Sequence, residues 1–222
     1  MTNPQNKKSK TPWPTKKAME QVYEKKLWGT NDSQFYSGEG SHDPNIVLPY
    51  IEKISAFLKA FKTPVSICDL GCGDFNIGRQ LLPFTKQYHA IDIAEPLIAF
   101  NKSKFKAENL EFQCLDIAKD KLPQSDVIIL RQVLQHLSNA EIKQVTNKLT
   151  NYKYVILTEH LPNGDFEPNK DIISGQGIRL KKKSGVSLLE VPFNLKIKTQ
   201  QELLRIDLGE KKGVIVTWVY EF

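Results

Sequence analysis

Cysteine is scarce in this chain: Cys68, Cys72 and Cys114 make neither an even disulfide set nor a Cys-x-x-Cys pair. The pattern offers no disulfide framework and no thiolate metal site, and suits small residues on or beside strands in a reducing compartment. Long apolar runs are missing too. None approaches the roughly 20 residues that cross a bilayer, and Met1 to Lys17 lack the apolar centre of a secretory signal. The expectation is a soluble, cytoplasmic protein with no membrane partner. Internal repeats are absent. Acidic charge is short at one end only, where seven lysines against two glutamates precede position 27 within a total net charge of +6. A lysine-rich stretch carrying Asn, Gln and Pro fits a flexible basic leader over 1–14 better than an RNA-binding arm. Nucleic acid is therefore a possible but not a favoured partner, and oligomeric state is not readable.

The remainder, 15–222, has the length and the 40% hydrophobic content of one α/β domain. Met19, Val22, Tyr23 and Leu27 recur at helical spacing before Gly29, and Asp43-Pro44 reads as the cap and first position of a long helix lined by Ile46, Val47, Tyr50, Ile54, Leu58 and Phe61. These helices and the polar loop between them form an N-terminal segment over 15–63, expected to act as a lid. From Val65 strands and helices alternate: strands at 65–70, 88–93, 110–115, 126–130 and 154–157, helices at 76–84 and 96–105, and a capping box, Ser138 with Glu141, that opens another helix. The link between the third and fourth strands is too short for a full helix. Near-continuous apolar runs such as Val127-Ile128-Ile129-Leu130 mark strands buried on both faces, hence a mostly parallel sheet. Residues 162–194, rich in Gly, Pro and Asn, read as an insertion over the carboxyl end of that sheet. The stretches 201–207 and 214–220 read as an antiparallel pair that closes it.

Chemistry concentrates in Asp69-Leu70-Gly71-Cys72-Gly73-Asp74-Phe75, an apolar strand running into a tight glycine turn. The dinucleotide fingerprint asks for glycine or alanine three positions after Gly73, where this chain has Asn76. Acids flanking the turn would repel a pyrophosphate. They suit a ligand with hydroxyls, an ammonium and a sulfonium, which is S-adenosylmethionine. Asp92 ends the second strand at the spacing of a ribose-binding acid, and Asp116 ends the third, where a carboxylate can accept from an adenine amine.

On these residues the chain resembles the class I S-adenosylmethionine-dependent methyltransferases. The resemblance covers Val65 to about His160 well and the last strands loosely. It implies a doubly wound, Rossmann-like, mostly parallel seven-stranded sheet with one antiparallel strand near the C-terminus and helices on both faces. By position, Asp69, Gly71 and Gly73 match the motif around the methionine moiety, Asp92 and Ile93 the ribose and adenine contacts, Asp116 and Ile117 the adenine side, and Leu130-Arg131-Gln132-Val133 the segment bordering donor and acceptor. Phe75 departs from the family, which often has glycine there; its ring must pack beneath the turn or wall the cofactor. A closer resemblance is to a poorly characterised subgroup with Trp28-Gly29, Ser37-Gly38-Glu39-Gly40-Ser41 and Arg131-Gln132-Val133-Leu134-Gln135-His136-Leu137. It supplies no substrate. Trp28 and Ser37 join the cofactor contacts, and Arg131 could pair with the cofactor carboxylate.

Methyl transfer from a sulfonium asks mostly for alignment and, for a protonated acceptor, a base. His136 is the first candidate, with His42 and Glu159 of the Glu159-His160 pair behind it; no metal is implied. The turn after the fourth strand lacks the Asn/Asp-Pro-Pro-Tyr/Phe sequence of enzymes that methylate adenine or amide nitrogens. The resulting expectation is transfer to an O or N atom of an unidentified small molecule, or of an exposed group on a macromolecule, with S-adenosylhomocysteine as product. Two alternatives stay open: an NAD(P)-dependent oxidoreductase, and a non-catalytic relative that binds RNA or protein.

Overall fold

The structure, a computed structural model, describes residues 13–222, so all but the last two residues of the expected leader lie outside it. Seven strands form one sheet: β1 (Val65–Leu70), β2 (Thr85–Asp92), β3 (Leu110–Cys114), β4 (Val127–Arg131), β5 (Tyr154–Leu161), β6 (Thr199–Asp207) and β7 (Val214–Glu221), in the order β3-β2-β1-β4-β5-β7-β6. Only β7 runs against the others, pairing with β5 from Tyr154↔Glu221 to Leu161↔Val214 and with β6 on its far side. Among the described residues five α-helices accompany the strands: α1 (Thr15–Glu24), α2 (Pro44–Lys59), α3 (Gly78–Leu81), α4 (Glu95–Lys104) and α5 (Asn139–Leu149).

The apolar runs divide by parity, as a pleated strand requires. Ile67, Val127 and Ile129 face a core under α2 and α4 that includes Tyr50, Ile54, Leu58 and Ile98. Cys68, Leu70, Ile128 and Leu130 face the opposite core under α5, with Val186, Leu188 and Phe193 closing it. Both faces are therefore covered. After β1 the chain adds β2 and β3 on one side, then crosses back to lay β4 on the other side of β1. Such a reversal opens a crevice at the carboxyl ends of the strands, where ligands of open α/β sheets bind.

Local chemistry explains the helix starts. Asp43 accepts the Asn45 amide at 2.9 Å with Pro44 in the first position of α2, and the Ser138–Glu141 box caps α5. One helix differs from the expectation. Instead of spanning 76–84 it is the four-residue α3 followed by a 3₁₀ turn at Leu82–Phe84. Phe75 takes a positive φ of 62°, which delays the start, and Pro83 cannot continue an α-helix. The N-terminal helix likewise stops at Glu24, and Lys25–Trp28 form turns.

Candidate active site

Gly71 and Gly73 leave β1 with φ of 82° and 56°. Both are also needed for space, since a Cβ on Gly71 would collide with Val133 and one on Gly73 with the Ser37 hydroxyl. The turn is anchored from below: the amides of Gly71 and Cys72 donate to the Ile91 carbonyl at 2.8 Å each, and the buried Asn101 side chain donates to the Gly73 carbonyl at 2.7 Å. Phe75 takes the first of its two options. Its ring is fully buried beneath the turn, edge-on to Tyr88, Phe105 and Phe112 with centroids 4.9–5.5 Å away.

Above the turn lies a cavity of about 440 Å³, within the size range of small-molecule sites. Asp69, Gly71, Gly73, Asp92, Ile93, Asp116, Ile117, Arg131, Ser37 and Trp28, all ten residues expected around the cofactor, line it together with His136. Asp92 accepts the Gly73 amide at 3.1 Å on one oxygen and the Ala94 amide at 3.0 Å on the other. Burial raises its carboxyl above the usual carboxylate range, with those amides pulling back. Asp69 accepts the Tyr88 hydroxyl at 2.9 Å, and burial pushes it up to about 7 despite Tyr88 and Arg131. Asp116 is pinned by the Ala118 amide at 3.0 Å and pairs with Lys119 at 2.9 Å. Ile93 and Ile117 add apolar lining beside these acids.

Residues 37–42 cross the turn as a strap. The Ser37 amide donates to Asp74 at 2.9 Å, the Asp74 amide returns to the Ser37 hydroxyl at 2.8 Å, and Nε2 of His42 lies 2.6 Å from the same carboxylate. Asn76 donates to the Ser41 carbonyl at 2.7 Å. Asp74 thus organises the strap, a role that sequence reasoning missed. Only its place between the glycine turn and Asn76 could have signalled it.

Three candidates differ from expectation. The guanidinium of Arg131 sits 4.8 Å over the Tyr50 ring and spends its fork on the Gly40 carbonyl and, at 3.2 Å, the Ser41 hydroxyl. It therefore holds the strap and does not present a free fork to the cavity. His42 is outside the cavity lining, paired with Asp74 and stacked on Tyr36 at 4.6 Å. Glu159 does not face the rim either: strand parity turns it toward the α5 side, fully buried behind the cavity wall with neither oxygen hydrogen-bonded among the described residues. Burial pushes it up to about 8, so a neutral acid is favoured at neutral pH, against the pull of Arg179 and the Leu134 and Gln135 amides. Its neighbour His160 bonds the Lys212 carbonyl at 2.6 Å, also away from the cavity lining.

His136 is the one histidine on the cavity wall. Its Nδ1 lies 3.2 Å from the Gly175 carbonyl, which can only accept, so the hydrogen sits on Nδ1 and Nε2 accepts from the Gln135 side-chain amide at 3.3 Å. Burial lowers the ring to about 4, which keeps it neutral at physiological pH. Trp28 packs on it at 5.1 Å.

The residues fit S-adenosylmethionine. Two buried carboxylates at the ends of β1 and β2, with a glycine turn that tolerates no Cβ, match a ligand bringing cationic groups and hydroxyl donors. A pyrophosphate would add negative charge to the same wall.

Comparison with known proteins agrees with this geometry. A family model described as a methyltransferase domain matches residues 68–152. The malonyl-[acyl-carrier protein] O-methyltransferase of Bacillus cereus is 35% identical over 88 residues, 38% of this chain and 32% of the relative. The chain thus matches about a third of the length of such curated relatives. Among solved structures, the N-methyltransferase NodS from Bradyrhizobium japonicum, in complex with S-adenosylhomocysteine, superposes with a TM-score of 0.65 at 12% identity over 92% of this chain and 98% of that one. Magnesium protoporphyrin IX methyltransferase from Synechocystis, with bound S-adenosylmethionine, gives 0.56 at 14% identity over 96% and 100%. The matched segment is thus similar to a methyltransferase domain, and the fold over nearly the whole chain is the one seen in S-adenosylmethionine-dependent methyltransferases.

Proposed function

We propose that this protein is an S-adenosylmethionine-dependent methyltransferase that alkylates an O or N atom of an acceptor. The observation that carries the reading is Asp92: a buried carboxylate at the cavity wall, oriented by the amides of Gly73 and Ala94, with lone pairs left for two ribose hydroxyls. Asp69 and the turn would hold the methionine end, and Ile93, Asp116 and Ile117 the adenine. The bound cofactor supplies a methyl group already activated by its sulfonium. The protein's part is alignment and water exclusion, by residues 15–63 as a lid and 162–194 as the acceptor-side roof, with His136 on the cavity wall as the base candidate. Free thiols, two of the three buried, support a reducing, cytoplasmic setting, and a small molecule is the favoured acceptor.

Calorimetry tests this directly. S-adenosylhomocysteine is expected to bind and NAD not to, and Asp92→Ala is expected to weaken the former at least about 100-fold, the scale of losing charged hydrogen bonds at a buried site. Binding of NAD alone would overturn the reading.

A further inference from the structure

The acceptor side of the cavity is walled by Trp28, Glu39, Gln132, His136, Gln176 and Ile178, from the strap, the β4–α5 loop and the insertion. Among the described residues its only full charge is Glu39, exposed and with no side-chain partner. Across the whole cavity the carboxylates are Glu39, Asp69, Asp92, Asp116 and Glu141; among the described residues no lysine lines it, and the single guanidinium, Arg131, is already committed to the strap. His136 adds no positive charge, because burial keeps its ring neutral, and its Nε2 already accepts from the Gln135 side-chain amide at 3.3 Å.

Among the described residues, the protein offers an anionic acceptor no free cation on this side, only the Glu39 carboxylate. A malonyl group, named for the Bacillus cereus relative, brings just such an anionic group. An ammonium instead has Glu39 and Trp28 on the same lining, a carboxylate and an indole of the kind by which proteins hold organic cations.

We infer that the acceptor is a small molecule bearing an amine, recognised as its ammonium by Glu39 and Trp28, and not a carboxylic acid. This rests on the methyltransferase reading and narrows it. In the transfer the ammonium first gives up a proton to water, leaving a neutral amine. The freed nitrogen lone pair then forms the N–C bond to the methyl carbon, while the C–S pair stays on sulfur, leaving a neutral thioether.

The test uses the full chain saturated with S-adenosylhomocysteine and three probes of one size, phenethylamine, 2-phenylethanol and 3-phenylpropionate, with binding followed by ligand-observed NMR and calorimetry. The amine is expected to bind at least about tenfold tighter than the carboxylate. Glu39→Gln, an exposed substitution expected to leave melting and S-adenosylhomocysteine affinity unchanged, is expected to cut amine binding about fivefold and narrow the gap. Carboxylate binding equal to or tighter than amine binding, no binding of any probe, or an amine preference untouched by Glu39→Gln would overturn the inference. Each of these leaves cofactor binding intact; loss of S-adenosylhomocysteine binding itself would instead strike the methyltransferase reading.

Discussion

Asp69 is the residue whose proton should report on the cofactor. Burial pushes its carboxyl up to about 7, so the folded protein favours the neutral acid relative to an unfolded chain near 3.8. A cationic ligand group beside it stabilises the carboxylate and expels the proton. Binding of S-adenosylmethionine near pH 6 should therefore release up to about one proton, visible as a binding enthalpy that changes with the ionisation enthalpy of the buffer, and Asp69→Asn should abolish that dependence. Glu159 supplies a second titration. Its folded value, about 8 against 4.5, gives stability that is fully present below 4.5 and lost as pH rises through 8. His136 has the opposite sign, since its folded value of about 4 lies below 6.5, so its contribution is complete above 6.5 and lost only as pH falls toward 4. Between pH 6.5 and 8 the buried carboxyls act without that opposition. Melting of the ligand-free protein should fall across this window, and Glu159→Gln should flatten the fall; an unchanged slope would mean Glu159 is ionised throughout.

At the scale of elements, the glycine turn is a packing unit as much as a ligand loop. Gly78 opens α3 against the Phe75 ring and the Tyr88 hydroxyl, and any Cβ there would overlap both. Gly78→Ala, which raises helix propensity, should nonetheless destabilise by about 1–3 kcal/mol, an overpacking cost that lowers Tm by several degrees. A rise in Tm would mean the ring has room to move. The same unit marks where reading from sequence stopped. The strands were legible because Val127 to Leu130 and their like are buried on both faces, and the caps of α2 and α5 because Asp43, Pro44, Ser138 and Glu141 act within one turn of chain. The expected helix over 76–84 failed because the left-handed Phe75 is set by aromatic contacts with β2, β3 and the end of α4, distant in sequence. The acids lining the cavity were legible from their places at strand ends. The Arg131 fork and the burial of Glu159 were not, because each depends on a segment packed from elsewhere, the strap for one and the Arg179 region for the other.

Over the whole molecule, that distant packing converges on the β4–α5 loop. Arg179, in the irregular segment between β5 and β6, is 1% exposed and donates to the carbonyls of Leu134 at 3.2 Å, Gln135 at 3.3 Å and Leu137 at 2.7 Å, and to the Asn139 side chain at 2.8 Å. Glu141 ties a second knot at the start of α5, accepting from Thr15 of α1, Ser138 and Ser174. N-terminal helix, loop and insertion are thus joined around the acceptor side, while the hydrogen bonds that orient Asp69 and Asp92 come from β2 and the turns after β1 and β2. The two halves should separate under mutation. Arg179→Met fills similar volume but strands three buried carbonyls, so stability should fall by about 3–5 kcal/mol. In the fraction that remains folded at low temperature, S-adenosylhomocysteine affinity should stay within a few-fold of the parent, because Asp69, Asp92 and the glycine turn keep their partners. The His136 ring, by contrast, loses the support of its own loop, and the resonance of its Nδ1–H, 3.2 Å from the Gly175 carbonyl in the parent, should broaden or exchange away. A variant that loses cofactor binding in parallel with the His136 signal would show the cavity to be one cooperative unit, with the insertion as much a part of the cofactor site as the strand ends are.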